Sequence, residues 1–301
     1  MTRHLHIDPF NGIAGDMFLG ALLDLGPGLT LEQLEAALAP LPVERAYRLT
    51  AERTARCGIG GIDFKVHLDT PEAKPQHAQS HAHPNNHNHN HNHPHHHDHH
   101  HPHDHAPHSH DHAPHSHDPA PDRQHHHHEH HHHTGYRQIM AMIGQLDLAD
   151  RGKQRARRVV TALAKAEARV HGQTVDDVHF HEVGAVDSIV DMLGAAVALE
   201  ILDIDTLSAG PLPLSRGYVR CDHGLMPVPA PATAYLLEGL PTLGVPRTGE
   251  LITPTGAALV RALCDSFGPP PPMTLANVGY GAGDRDDPDV PNLLRVILGQ
   301  R

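Results

Sequence analysis

The pattern of apolar and polar residues over the first 70 positions predicts alternating strands and helices. Residues 4–8 place Leu5 and Ile7 on one side and His4, His6 and Asp8 on the other, as in a strand with one buried face. A loop with two glycines then leads into an apolar segment. We predict a strand over 4–8, helices over 17–25 and 32–38 (the second capped by Thr30), and strands over 47–54 and 62–68 around a turn at 57–61.

The same alternation returns after residue 133. Residues 177–183 set Val178 and Phe180 against His179 and His181, which predicts a strand, and the almost wholly apolar residues 188–202 predict a buried helix. We further predict helices over 136–146, 153–170 (ended by Gly172), 233–238 and 256–267, a loop or short edge strands over 211–231, a turn at 279–283 and a closing strand over 293–298. Strands that alternate with helices indicate an α/β fold, a mixed sheet with flanking helices.

A histidine-rich tract separates these two parts of the chain. It holds 28 of the 35 histidines, between His77 and His133, and repeats the same seven residues at 104–110 and 111–117. It is internal and interrupted, unlike a purification tag, and the remaining alternative is a linker without a metal role. Neutral imidazole binds Ni(II), Cu(II), Zn(II) and Co(II) well, so the tract predicts a metal reservoir.

We therefore predict a disordered surface insertion at 76–133 that interrupts one α/β domain, made of residues 1–75 and 134–301. Its densest imidazole runs are the predicted metal ligands: His95, His96, His97, His99, His100, His101, His125, His126, His127, His128, His130, His131, His132 and His133.

Charge, cysteine content and the absence of apolar targeting segments limit the partners and the cellular location that we expect. The net charge of −12 argues against nucleic acid as a partner. Cys57, Cys221 and Cys264 form no CxxC pair, and each is expected to be a small buried apolar residue. No signal region or long uncharged apolar stretch is present, so we expect a cytoplasmic protein without a membrane partner. The sequence leaves open whether the protein forms a homo-oligomer.

Two constellations carry chemistry. In the first, His179 and His181 share a strand face and Asp187 and Asp191 a helix face, with Glu182 between them, so nitrogen and oxygen donors could converge on Ni(II), Zn(II), Mn(II) or Fe(II). The alternative is a helix cap at Asp187 and half-exposed histidines. Asp191 argues against it, because a lone carboxylate in an apolar helix is costly to bury.

The second constellation is the loop from Asp8 to Asp16. An acid at the end of a strand, Gly12 and Gly15, and a helix N-terminus resemble a phosphate or metal-phosphate cradle, although no P-loop lysine follows. The alternative is an ordinary cap and turn. His223 stands in a proline-stiffened loop and is expected to line a pocket.

Taken together, these segments resemble the nickel-insertion proteins of nickel-pincer cofactor synthesis (the LarC family). The resemblance covers nearly the whole chain outside the tract and rests on residues 8–17, 179–191, 223–233, 250–257 and 279–283. It implies insertion of Ni(II) into pyridinium-3,5-bisthiocarboxylic acid mononucleotide with consumption of CTP. It also implies that this chain is the N-terminal half, and that a C-terminal domain binds CTP with Mn or Mg. Nickel storage or metallochaperone activity and a metal-dependent phosphohydrolase are the alternatives.

Overall fold

The computed structural model describes residues 2–43, 45–69, 134–180, 186–221 and 223–301. These ranges form a mixed α/β fold, as predicted, and residues 2–69 and 134–301 belong to one compact unit although the tract separates them in sequence. The predicted histidine ligands of the tract lie outside the described residues, as do His181 and Glu182.

Seven α-helices and eleven strands are present in the described ranges. The helices are α1 (Gly15–Leu23), α2 (Leu31–Leu38), α3 (Tyr136–Gln145), α4 (Asp150–His171), α5 (Val186–Ile201), α6 (Pro231–Leu237) and α7 (Pro254–Leu263). The strands are β1 (Arg3–Asp8), β2 (Tyr47–Arg56), β3 (Ile59–Leu68), β4 (Thr206–Ala209), β5 (Leu212–Arg216), β6 (Tyr218–Cys221), β7 (Gly224–Pro227), β8 (Thr242–Thr248), β9 (Ser266–Phe267), β10 (Thr274–Ala282) and β11 (Leu293–Gln300).

Seven strands form the main sheet in the order β2-β3-β10-β11-β1-β4-β9. β11 pairs antiparallel with both β10 and β1, whereas β1 pairs parallel with β4. Helix α1 packs on β3, β10 and β11, and α5 lies against both α1 and α4. Strand β1 alternates as predicted: Leu5 and Ile7 face the core, and His4 and His6 are buried on the other side, where both hydrogen-bond Ser208.

The glycine run 279–283 is not the predicted turn. Gly279 and Gly281 lie inside strand β10, so that prediction was wrong. A Cβ at position 279 would lie 2.1 Å from the carbonyl oxygen of Ala21, and one at position 281 would lie 1.7 Å from that of Met17. The glycines let the backbone of α1 pack directly on the sheet, and such a close approach of another backbone is a known reason for glycine inside a strand.

Two further predictions need correction. Residues 177–180, the described part of the predicted strand, do not form a regular strand: a 3-10 turn covers Val175–Asp177, and of residues 178–180 only His179 forms a bridge, to Gly135. The alternation is real, because Val178 and Phe180 are buried, but these described residues pair through that single bridge alone. Helix α7 ends at Leu263, because Cys264 is extended and residues 266–267 form β9.

Candidate functional site

The site begins at the loop between β1 and α1. Gly12 turns this loop with φ of 112°, and the N–H of Ile13 donates to the carbonyl of Leu251 at 2.9 Å. A Cβ at position 12 would lie 2.0 Å from that same carbonyl oxygen, so only glycine fits. This contact fixes the loop that leads into the N-terminus of α1, where the N-cap residue Ala14 supplies no side-chain hydrogen bond.

The carboxylate of Asp191, on α5, meets that helix N-terminus. A Cβ at position 15 would lie 2.5 Å from its Oδ2, so Gly15 is needed to let the carboxylate approach. The backbone N–H of Asp16 donates to the Asp191 carboxylate. The Oδ1 atom of Asp191 is buried and has no hydrogen-bond partner among the described residues. The two sequence constellations, predicted separately, therefore meet at Asp16 and Asp191.

Two carboxylates in this site have raised pKa values. Burial is the main reason that the pKa of Asp191 lies well above its usual range, and the charges of Asp16 and Asp187 raise it further. Burial also raises the pKa of Asp16, against the opposing effect of Lys65. Asp187 is exposed in the first turn of α5, one turn before Asp191. The predicted helix face of Asp187 and Asp191 thus runs from the surface to the buried carboxylate.

Lys65 on β3 balances part of this negative charge. Its Nζ lies 3.3 Å from Asp16 Oδ2 and 2.9 Å from Asp63 Oδ1, and it also pairs with Asp284. Burial alone would lower the pKa of Lys65, but these hydrogen bonds outweigh it and raise the pKa. Sequence reasoning missed these residues. The signal was a polar pair, Asp63 and Lys65, two residues apart on one face of a strand.

Asp8 does not join the cluster through a direct contact. Its Oδ2 accepts a hydrogen bond from Arg295 Nε at 2.9 Å and pairs with the same guanidinium through Nη2. Gly12 and Gly15 approach protein groups, Leu251 and Asp191, where we expected them to approach a ligand.

His179 is exposed, with its ring against Gly135. Among the described residues, no group of three or more His, Cys, Asp and Glu side chains is arranged to hold a metal ion. His181 and Glu182 belong to residues 181–185, outside those ranges.

His223 lines a small cavity of 80 Å³ together with Glu167 and Cys221. Its ring centroid lies 5.0 Å from that of His171, and His171 Nε2 lies 3.5 Å from Glu167 Oε2. Of the cysteines, Cys264 is buried as predicted and Cys221 is half-buried, whereas Cys57 is exposed at the β2–β3 turn. The prediction for Cys57 was wrong, because the turn projects it away from the core.

No helix in the described ranges combines the length and the apolar character that crossing a membrane requires.

Comparison with known proteins identifies the family. The family model "Nickel insertion protein" matches residues 5–301. The chain is 42% identical to a "Putative nickel insertion protein" of Geobacter metallireducens, across 98% of this chain and 60% of the relative. It is 38% identical to the "Pyridinium-3,5-bisthiocarboxylic acid mononucleotide nickel insertion protein" of Geobacillus kaustophilus, across 98% of this chain and 59% of the relative. No solved structure matches. The chain thus spans about 60% of the length of these relatives, and it belongs to the nickel insertion protein family.

Proposed function

We propose that this chain binds Ni(II) and delivers it to pyridinium-3,5-bisthiocarboxylic acid mononucleotide, as part of a nickel chelatase of the lyase class. The match to the nickel insertion family over residues 5–301 carries the proposal, and the name of the Geobacillus kaustophilus relative supplies the substrate. One observation on the described residues supports a cation there: Asp191 Oδ1 is buried without a hydrogen-bond partner among them, and the negatively charged Asp16 lies close to it.

The proposed nickel ligands are His179, His181, Glu182, Asp187 and Asp191, with Asp16 as a neighbour and Asp8 and the glycines as the frame of the loop. Carboxylate oxygen and imidazole nitrogen suit Ni(II) but hold it less firmly than sulfur does. A thiocarboxylate sulfur of the substrate would therefore draw the metal away from the protein. The site would hold Ni(II) by ligands that can be exchanged one at a time.

The histidine tract is proposed to collect Ni(II) before transfer. Protonated imidazole cannot bind a metal, so the affinity of the tract should fall as the pH drops through about 6.5. CTP, with Mn or Mg, is proposed to act through a C-terminal domain or subunit. The described residues show no lysine-containing phosphate loop, so we expect this chain alone not to turn over CTP at an appreciable rate.

The test separates the tract from the folded site. A variant that lacks residues 76–133 should fold, lose most of its bound nickel and keep one site. Within that variant, Asp187→Asn should weaken Ni(II) binding about tenfold or more, because a folded site cannot recruit a replacement ligand. Asp203→Asn is the matched control: Asp203 is an exposed acid paired with Arg151, and its loss should leave nickel affinity unchanged. Equal affinities in the two variants would return Asp187 to a capping role.

The second measurement follows CTP consumption and nickel loading of the thiocarboxylate precursor. It compares the chain alone with the chain plus the C-terminal region of a longer relative. Loading that needs both polypeptides supports nickel insertion. CTP hydrolysis by the chain alone would favour a phosphohydrolase centred on Asp16 and Asp191. Nickel binding that no precursor can discharge would favour storage or metallochaperone activity.

A further inference from the structure

A basic groove runs along the face of α4 that is turned toward α6 and α7. The groove encloses 560 Å³, within the usual range for small-molecule sites. Its lining includes five cationic side chains and one carboxylate: Arg157, Arg158, Lys165, Arg169, Arg261 and Glu238. Three alanines, the apolar Leu236, Tyr235, and the polar Gln154 and Thr161 supply the rest of the wall. This α4 groove is strongly positive on a chain of net charge −12.

Three of the five cations have no side-chain partner among the residues that the structure describes. Arg157, Arg158 and Lys165 are exposed, and none of them forms a salt bridge or side-chain hydrogen bond with another described residue. Exposed helix cations are usually stabilised by acids one turn away, but residues 154, 157, 158, 161, 162, 165, 166 and 169 on this face include no acid. Lys165 and Arg169 even form a like-charged pair at the i,i+4 spacing, which destabilises a helix.

The opposite wall is fixed in place. Arg261 Nη1 donates to the carbonyl oxygens of Leu236 and Glu238, at 3.0 and 2.8 Å, where α6 ends. Arg169 pairs with Glu238 at 2.6 Å, and its guanidinium carbon lies 3.9 Å from the centre of the Tyr235 ring. These contacts neutralise the only carboxylate of the groove and hold an aromatic wall opposite the three unpaired cations.

We propose that the α4 groove binds the phosphate of a nucleotide. A phosphate monoester carries about two negative charges at pH 7 and accepts hydrogen bonds from several guanidinium groups at once. Arg157, Arg158 and Lys165 would contact the phosphate, while the apolar wall would cover the ring and sugar. Five cations beside one paired carboxylate would attract an anion to this groove on a chain whose net charge is −12.

This inference rests on the proposed function, which supplies the expected ligand, the pyridinium mononucleotide that accepts nickel. CTP has the same phosphate chemistry, but the proposed function assigns it to a C-terminal domain or subunit, so it serves here as the comparison. The groove would hold the mononucleotide independently of the nickel ligands, because none of the groove residues belongs to the proposed nickel site.

The experiment titrates the intact chain by calorimetry, in the presence of a chelator and at low ionic strength. The probes are a pyridinium mononucleotide with a 3-carboxylate, CTP and inorganic phosphate. The test variant is Arg157→Glu with Arg158→Glu. The control is Arg48→Glu with Lys153→Glu, which changes the net charge equally but replaces cations outside the groove lining. Arg157→Lys with Arg158→Lys tests whether positive charge alone restores binding, and circular dichroism checks folding.

We expect saturable binding of at least one nucleotide, weakened about tenfold or more in the test variant, changed less than about twofold in the control and partly kept in the lysine variant. The tighter of the two nucleotides identifies the source of the phosphate. Equal losses in test and control variants, an absence of saturable nucleotide binding, or inorganic phosphate that binds as tightly as both nucleotides would overturn the inference. Nickel transfer to the thiocarboxylate precursor is measured separately on the same variants, without chelator and with the C-terminal region of a longer relative added. Nucleotide binding without nickel transfer refutes the proposed function alone, and nickel transfer that the test variant leaves unchanged refutes the groove alone.

Discussion

Replacing Asp191 with asparagine should stabilise the metal-free protein while it weakens nickel binding. Asparagine keeps an oxygen that can accept the backbone N–H of Asp16, and it has nearly the same size. It removes the negative charge that burial, Asp16 and Asp187 all make unfavourable. The same charge is what a bound cation would need, so one substitution should change stability and affinity in opposite directions.

The expected gain depends on pH, with a sign set by the raised pKa. A carboxyl group whose folded pKa exceeds its unfolded value binds its proton more tightly in the folded chain. Its stabilisation is complete below the unfolded pKa of about 3.9 and is lost as pH rises through the raised value. The native chain therefore loses stability at Asp191 as the pH rises from about 3.9 through the raised pKa, and the variant does not. At pH 8 the gain should be about 1–3 kcal/mol, the usual cost of an uncompensated buried polar group.

For a domain of this size, that gain corresponds to a rise in melting temperature of roughly 3–9 °C at pH 8. Thermal unfolding of both proteins at pH 5 and pH 8, with a chelator and then with NiCl2, measures both effects. Saturating nickel, at about 100 times the dissociation constant, should stabilise the native chain by about 2.7 kcal/mol and the variant much less.

Asp24→Asn provides the matched control. Asp24 accepts hydrogen bonds from the backbone of Tyr280 at 2.9 Å and from Arg53 at 3.1 Å, so the same substitution should destabilise the fold, by about 1–3 kcal/mol. The reasoning about Asp191 fails if Asp191→Asn lowers the melting temperature equally at both pH values. That result would mean that the carboxyl is a protonated structural hydrogen-bonding group.

Two other predictions concern the frame of the site. Gly281→Ala should lower the free energy of unfolding by about 1–3 kcal/mol or more, because the added Cβ would meet the carbonyl of Met17. Gly144→Ala is the control: this exposed helix position has nothing within 4 Å of an added Cβ, so the free energy of unfolding should rise by about 0.5–1 kcal/mol. Denaturant unfolding measures both changes. Lys65→Met should destabilise the metal-free chain by about 1–3 kcal/mol at pH 8 and by less at pH 5, because Asp16, Asp63 and Asp284 lose their shared cation. A variant as stable as the native chain at pH 8 would contradict this prediction.

The local parts of the fold could be predicted from the sequence because they depend on local periodicity. Strand β1, helices α1 to α5 and the hairpin of β2 and β3 fall within a few residues of the expected positions. The prediction of a turn at 279–283 was wrong for a non-local reason: the glycines of β10 make room for the backbone of α1, a helix more than 250 residues earlier in the chain. Residues 178–180, the described part of an alternating segment, pair with the rest of the chain through one bridge, and such pairing is likewise not encoded in a segment's own pattern.

The acidic site shows the same division between local and non-local information. Asp187 and Asp191 could be placed on one helix face from their spacing, and Gly15 and Asp16 could be placed at a helix start. That Asp191 enters the N-terminus of α1 depends on how α5 packs on α1, and no spacing rule contains that distance. Lys65 and Asp284 were missed because each comes from a distant segment, and each looks like an ordinary solvated charge in the sequence.

The raised pKa values bear on how a delivery site can release its cargo. Under the proposed function, Asp191 is a nickel ligand, and Asp16 beside it also has a raised pKa. A carboxyl group with a raised pKa must lose its proton before it can bind a metal, so Ni(II) and a proton would compete for Asp191. The affinity for nickel would then be lower than that of the same ligands with ordinary pKa values, and the carboxylate that leaves the metal would regain a proton. Lys65 adds to this by remaining charged beside Asp16. Under the proposed function, burial and the shared lysine would keep nickel bound weakly enough for a sulfur ligand to remove it, a property that a storage site would not need.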